Sequence, residues 1–174
     1  KKKNLIALCI KDDNYNNFKE ISTAYSSNIE LLENSLNNLI GKGFEINRIG
    51  EPSMKSFNFN KLNYKDLSKS KYYLRNYNKI LSESNYYIGS DASHGESVEL
   101  FDTRKCIINS IDHITSSFSF SNTNVIMFKK IFHVKKNKIL SIDELFYHDL
   151  FDCKSVTVKF KKKEIILLEN TKDE

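Results

Sequence analysis

Three short segments of this chain carry residue types able to meet a charged small molecule. They are Lys11, Asp12 and Tyr15; Arg48, Gly50 and Lys55; and Ser90, Asp91, Ser93 and Glu96. Asp112 and His113 form a fourth, smaller group. Cations and small residues suit phosphate oxygens, which take charge-assisted hydrogen bonds, while carboxylates suit ribose hydroxyls. The mix points to a nucleoside diphosphate rather than to a neutral ligand. Each segment also has a plain structural reading: a solvated turn at Lys11-Asp12, a surface cation at Arg48, a helix N-cap at Ser90 to Ser93. His113, His133 and His148 read as structural or surface residues.

Several chemistries are set aside by what the sequence lacks. There is no G-x-G-x-x-G, Walker, D-x-D or G-x-S-x-G motif, which argues against dehydrogenases, NTPases, metal-dependent single-domain sugar transferases and α/β hydrolases. Gly41-Lys42-Gly43 reads as a helix stop rather than a phosphate loop. Cys9, Cys106 and Cys153 are an odd, widely spaced set without a zinc pattern, so they are expected to be reduced and mostly buried. No metal or cofactor is called for. The net charge of +5 arises from 27 Lys+Arg against 22 Asp+Glu spread along the chain, without a dense basic stripe. Nucleic acid is therefore not the expected partner. No apolar run is long enough to span a bilayer, and no signal-peptide pattern opens the chain. The expected location is cytoplasmic, with any contact with the inner face of the membrane made through regions outside this sequence.

The elements that must position these residues alternate in type. At 174 residues, with 40% hydrophobic and 12% aromatic residues, the chain fits one self-supporting domain. Leu5 to Ile10 is a continuous apolar run, the pattern of a strand buried on both faces of a parallel sheet. Ser27-Asn28-Ile29-Glu30 has the form of a capping box, followed by Ile29, Leu32, Leu36, Leu39 and Ile40 at helical spacing. Further strands are expected at Phe44 to Ile49, Tyr86 to Ser90 and Cys106 to Asn109, with a short one near Leu62. Leu74, Tyr77, Ile80 and Leu81 mark a second amphipathic helix, and Gly95 to Asp102 a short one. After a looser region from Ser110 to Lys138, Ser141-Ile142-Asp143-Glu144 opens another helix. Val156 to Phe160 and Glu164 to Leu168 then read as a terminal pair of strands. The order β-helix-β predicts an α/β, Rossmann-like parallel sheet flanked by helices. In such a sheet ligands bind at the carboxyl ends of the strands, where all the segments above fall. A capping-box pattern at Thr171 to Glu174 with no helix behind it, and a core strand so near Lys1, suggest a fragment of a longer two-domain protein.

Longer matches suggest a family. Leu8-Cys9-Ile10-Lys11-Asp12, with Tyr15, resembles the L-H-V-R-D-x-x-Y segment of a group of bacterial glycosyltransferase-like proteins with the two-domain GT-B architecture. Lys42-Gly43-Phe44 and the run Arg48 to Lys55 resemble that group's K-G-Y and R-M-G-x-P-x-M-K. Ile88-Gly89-Ser90, Ile107-Ile108-Asn109 and Leu168-Glu169-Asn170-Thr171 resemble its I-G-T, I-V-x-x-N and E-N-S/T segments. The resemblance implies the C-terminal, donor-binding half of a metal-independent transferase. A nucleotide-sugar donor would be held by Lys11, Arg48, Gly50 and the Ser90 to Ser93 turn, with Glu96 or Glu99 near the ribose. The partner would be an acceptor-binding domain of the same protein, which would supply the catalytic base. Cys9 stands where the family has His, and Asp91-Ala92-Ser93-His94 where it has a glycine-rich turn; less glycine gives a phosphate less access to backbone. The expected role is glycosyl transfer in bacterial surface polysaccharide or glycoconjugate assembly. A nucleotide-sugar epimerase and a non-catalytic nucleotide-sugar or partner-binding module are the alternatives.

Overall fold

The computed structural model describes residues 4–15, 24–90, 97–101, 103–111 and 124–170. Strand β1 (Leu5–Cys9) is buried along its whole length. A 3-10 turn (Ile29–Leu32) leads into α1 (Glu33–Gly41), and β2 (Glu45–Arg48) follows. Next come β3 (Tyr64–Asp66), α2 (Tyr73–Glu83), β4 (Tyr86–Gly89), a second 3-10 turn (Val98–Phe101), β5 (Arg104–Ser110) and β6 (Val125–Phe128). These six strands form one sheet in the order β3-β2-β1-β4-β5-β6, and every pairing is parallel. The expected α/β fold, a Rossmann-like parallel sheet flanked by helices, is therefore the fold of this chain. A second sheet, β8-β7-β9, joins β7 (Lys130–His133), β8 (Lys138–Ile139) and β9 (Ile165–Leu168) in antiparallel pairs. Helices α3 (Ile142–Tyr147) and α4 (Cys153–Lys161) lie between β8 and β9 in sequence.

Strand periodicity splits the core of the large sheet into two layers. Ile6, Leu8 and Ile46 turn to the side of Leu36 in α1, while Ala7 and Cys9 turn to the side of Tyr77, Ile80 and Leu81 in α2. Fully burying one such aliphatic side chain contributes about 1.5 to 3 kcal/mol, so both faces of β1 hold the sheet between its layers. α1 ends at Gly41, and Gly43, at φ +87°, makes the left-handed step that returns the chain to β2. A third cluster, with Ile111, Ile131, Leu140, Leu145, Val156 and Ile165, attaches the small sheet and its helices.

Four sequence expectations are corrected. The N-cap of the 3-10 turn that leads into α1 is Asn28, whose side chain accepts from the Glu30 amide. Ser27 is buried and donates its amide to the Lys11 carbonyl, which binds it to the loop after β1 rather than to the helix. Val156 to Phe160 is helix, not strand. The alternation of Val156, Val158 and Phe160 imitates strand period, but the Asp152 cap accepts from the Lys154 and Ser155 amides, and Cys153, Val156 and Phe160 share one apolar face. Lys159 and Lys161 therefore sit in a last helical turn, where cations are favoured. The supposedly loose stretch from 110 to 138 contains β6 and β7, and the short strand starts at Tyr64, since Leu62 itself is exposed. The helix expected at 95 to 102 is described only as the 3-10 turn, and the Thr171 to Glu174 pattern lies outside the described residues.

Replacing Asp152 by Ala should lower unfolding free energy by about 1 kcal/mol in denaturant titrations, with Asn retaining most of the stability. Hydrogen bonds from Ser155 hold the Asp152 carboxyl below the usual range. The contribution should accordingly be full at neutral pH and fade as pH falls through the folded-state value, so wild type and Asp152→Ala should converge in acid.

Candidate functional site

The strand order reverses between β1 and β4, because β2 and β3 lie on one side of β1 while β4, β5 and β6 follow on the other. At that switch point the loops diverge and leave a crevice beyond the carboxyl ends. Here the Lys11 amide donates to Ser90 Oγ at 2.8 Å, closing the base of the crevice. Ser90 is fully buried. Lys11, Asp12 and Tyr15 from the first loop, Arg48, Gly50 and Lys55 from the second, and Ser90 from the third thus share one edge. Asp91, Ser93, Glu96, Asp112 and His113 lie outside the described residues, and of Glu99 only its place in the second 3-10 turn is described.

Arg48 does not lie where a surface cation would. Its side chain is wholly buried, and Nη1 donates to Asp66 Oδ2 at 2.8 Å and to the Lys55 carbonyl at 2.7 Å. Nη2 lies 3.8 Å from Asp12 Oδ2, beyond hydrogen-bond range but within strong electrostatic reach. That same Asp12 oxygen accepts the Lys55 amide at 2.7 Å, while Oδ1 accepts from Asn14. Asp66 Oδ1 accepts from both the amide and hydroxyl of Ser68. One guanidinium therefore fastens the loop after β1, the loop after β2 and the end of β3. Its role is to hold those loops, and a ligand would meet the loops rather than the guanidinium.

The other expected donors are also partly committed. The Lys11 ammonium stands 5.1 Å from the ring centroids of both Tyr15 and Tyr25, a two-sided cation–π contact. Gly50 adopts φ +141°, and a Cβ there would run into the Met54 thioether, so this position requires glycine. Beneath the crevice, burial pushes the Cys9 thiol up to about 12, and the phenols of Tyr15, Tyr77 and Tyr87 upward as well. Cys9 is accordingly a protonated packing residue at neutral pH, not a nucleophile.

A polar cavity of about 290 Å³ opens beside this network. Among the described residues, Asp12, Asp13, Glu30 and Glu169 contribute carboxylates to its lining, Lys55 an ammonium, and Ser26, Ser27 and Ser56 small polar groups. Glu169 Oε2 accepts the Asn28 amide at 2.8 Å, placing a carboxylate at the start of the helical segment. It is brought there by a latch: Asn170 exchanges two hydrogen bonds with Asn109, at 3.0 and 2.7 Å, and donates to the Phe128 carbonyl. Asn109 takes the left-handed conformation, φ +55°, at the carboxyl end of β5. Lys129, nearly buried, donates to the Ala24 and Ser26 carbonyls and holds the loop from the other side. A larger cavity of about 520 Å³ lies on the sheet face among Leu39, Phe44, Tyr86 and Ile88, but it is apolar and remote from these groups. The polar cavity is the better candidate because its charged groups converge at the carboxyl edge of the sheet, from the loops after β1 and β2, the segment before α1, and Glu169.

Asp66, Glu30, Ser26 and the Asn109–Asn170 latch were not singled out from sequence as site residues. Asn109 and Glu169-Asn170 carried a signal, as parts of the I-V-x-x-N and E-N-S/T resemblances. Among the described residues no group of three or more His, Cys, Asp or Glu side chains is arranged to hold a metal ion. No described helix is long and apolar enough to cross a membrane. No family model, curated protein or solved structure matches the chain, so its class rests on its own geometry: an α/β domain with a polar cavity at the carboxyl edge of a parallel sheet.

Replacing Arg48 by Met should cost about 1 to 3 kcal/mol of stability, because buried Asp12 and partly buried Asp66 would lose their counter-charge and the Lys55 carbonyl its donor. Arg48→Lys should restore only part, since one ammonium cannot span Asp66 and the Lys55 carbonyl with the geometry of the guanidinium. Urea denaturation of the three proteins checks both the loss and the order.

Proposed function

We propose that this chain is the nucleotide-sugar-binding half of a GT-B-type glycosyltransferase of bacterial surface polysaccharide or glycoconjugate assembly. The observation that carries the reading is the convergence of four carboxylates and Lys55 around one cavity at the carboxyl edge of the parallel sheet, beside the loops after β1 and β2. Carboxylates accept hydrogen bonds from the hydroxyls of sugar and ribose, and a lysine meets a diphosphate as a point charge. In this reading the polyhydroxyl part of the donor enters the cavity, which the preponderance of carboxylates supports. The diphosphate then lies toward Lys55 and the Ser90 turn. Asp12 and Arg48 act by fixing the loops, a positioning role rather than direct contact with phosphate.

In the transfer step the bond between the sugar's anomeric carbon and the diphosphate oxygen breaks, and the acceptor oxygen forms the new bond and loses its proton. Lys55 and the loop amides would stabilise the charge left on the departing diphosphate. The base that takes the proton belongs to the acceptor-binding domain in this reading. A binding module without turnover is the second reading, favoured by the lack of a histidine or an ionised thiol at the cavity among the described residues.

A thermal-shift panel of nucleoside diphosphates, their sugars and free monosaccharides tests the proposal. Nucleoside diphosphate sugars should raise the melting temperature in a concentration-dependent way, and monosaccharides should not. Lys55→Ala should weaken diphosphate binding by about 1.5 to 3 kcal/mol, read by calorimetry, if its ammonium makes a charge-assisted contact. Equal responses to a neutral sugar and a diphosphate sugar would sink the donor reading. Turnover of donor by the full protein would separate transferase from module, and the product would separate transferase from epimerase.

A further inference from the structure

The small sheet presents a surface that the candidate site does not use. Alternation turns Ile131, His133, Ile165 and Leu167 to one face, and it is on this side that Ile131 and Ile165 are buried in the cluster shared with α3 and α4. The opposite face receives Phe132, Ile166 and Leu168, with exposed Lys130 opposite Leu168 at the end away from the hairpin. Register places Ile139, Phe132 and Ile166 in a single cross-strand row. Ile139 is 48% exposed, Ile166 47%, and Val134, which extends the line of β7, 43%. An antiparallel sheet with one solvated face ordinarily shows polar residues there, whereas a continuous apolar strip marks a surface that is covered in use.

Two lysine-rich turns meet at one end of this sheet. The β7–β8 hairpin carries Lys135, Lys136 and Lys138, and the turn from α4 to β9 carries Lys161, Lys162 and Lys163. The Val134 amide donates to the Glu164 carbonyl at 3.0 Å, which joins the turns. Glu144 pairs with Lys138 at 2.7 Å and stands 3.8 Å from Lys136, so this end retains a clear excess of positive charge. The aromatic ring of Tyr147, 84% exposed, packs edge-on against His148, itself 2.8 Å from the Lys136 ammonium.

We infer that this face docks on an anionic lipid surface, with the row Ile139, Phe132 and Ile166 entering the headgroup boundary and the lysine turns meeting the lipid charges. All six cations are lysines, and lysine is depleted at protein–protein interfaces where arginine is enriched. Flexible ammonium groups suit a diffuse negative surface. Exposed Val134, Ile139 and Ile166 have no counterpart on a nucleic-acid backbone. None of these residues lines the polar cavity, so the inference stands apart from the donor reading.

Flotation of the 174-residue chain with vesicles provides the test. The chain should float with equimolar phosphatidylglycerol and phosphatidylcholine, stay behind with phosphatidylcholine alone, and lose binding at high salt. Combining Lys135→Gln, Lys162→Gln and Lys163→Asn should lower vesicle affinity by about tenfold or more. Asn is chosen at 163 because that residue has φ +57°. Ile139→Ser with Ile166→Ser should lower it separately, while circular dichroism melting shows the fold retained in both variants. Absence of flotation on anionic vesicles, equal flotation on neutral ones, full affinity in either variant, or preference for an acidic polypeptide or RNA over the vesicles overturns the inference.

Discussion

The buried Arg48 guanidinium is the constraint on which the carboxyl edge depends. Three loops approach one another there, and each brings polar backbone into a region closed to water. A buried ion pair gives little net stability, because desolvation offsets most of the Coulomb attraction. What it gives here is geometry. The close contact with Asp66 at 2.8 Å fixes the guanidinium, and the looser one with Asp12 at 3.8 Å aligns a carboxylate that is itself anchored by the Lys55 amide. An apolar side chain at 48 would fill the space without orienting any of these groups. Gly50 completes the arrangement, since the chain must turn close beside the Met54 thioether with a backbone that side chains resist.

The other wall of the cavity comes from distant parts of the chain. The reciprocal bonds of Asn109 and Asn170 join the end of β5 to the segment after β9, and so deliver Glu169 to the start of the helical segment. Lys129 does comparable work from β6's end, spending its charge on two backbone carbonyls rather than on solvent. The small sheet is thus coupled to the cavity through hydrogen bonds as well as through the apolar cluster around Ile111 and Ile131. A ligand that ordered Glu169 would be expected to stabilise that coupling.

Charge is distributed unevenly over the fold in a way that the total conceals. The net value of +5 describes neither the cavity, where carboxylates outnumber ammonium groups, nor the lysine-rich turns at the far end of the small sheet. Positive charge at one end and carboxylates at the candidate site give the domain two surfaces with different electrostatic preferences.

Local pattern was enough to determine the layered α/β architecture. The apolar run Leu5 to Ile10, the spacing of Leu36, Leu39 and Ile40, and the glycine stop at 41 to 43 depend on neighbours only, and all appear in the fold. The carboxyl edge as a meeting place for Lys11, Arg48 and Ser90 followed from the same periodicity, because parallel strands carry their loops to one side. Local pattern misled at Val156 to Phe160, where an alternating run met a helix cap and a helical packing face. It could not show that Arg48 is buried, that Lys11 sits between two tyrosine rings, or that Glu169 stands beside Asn28. Those facts depend on distances between residues far apart in the chain, and only tertiary packing decides whether a charge at a strand end faces water, a ligand or another charge.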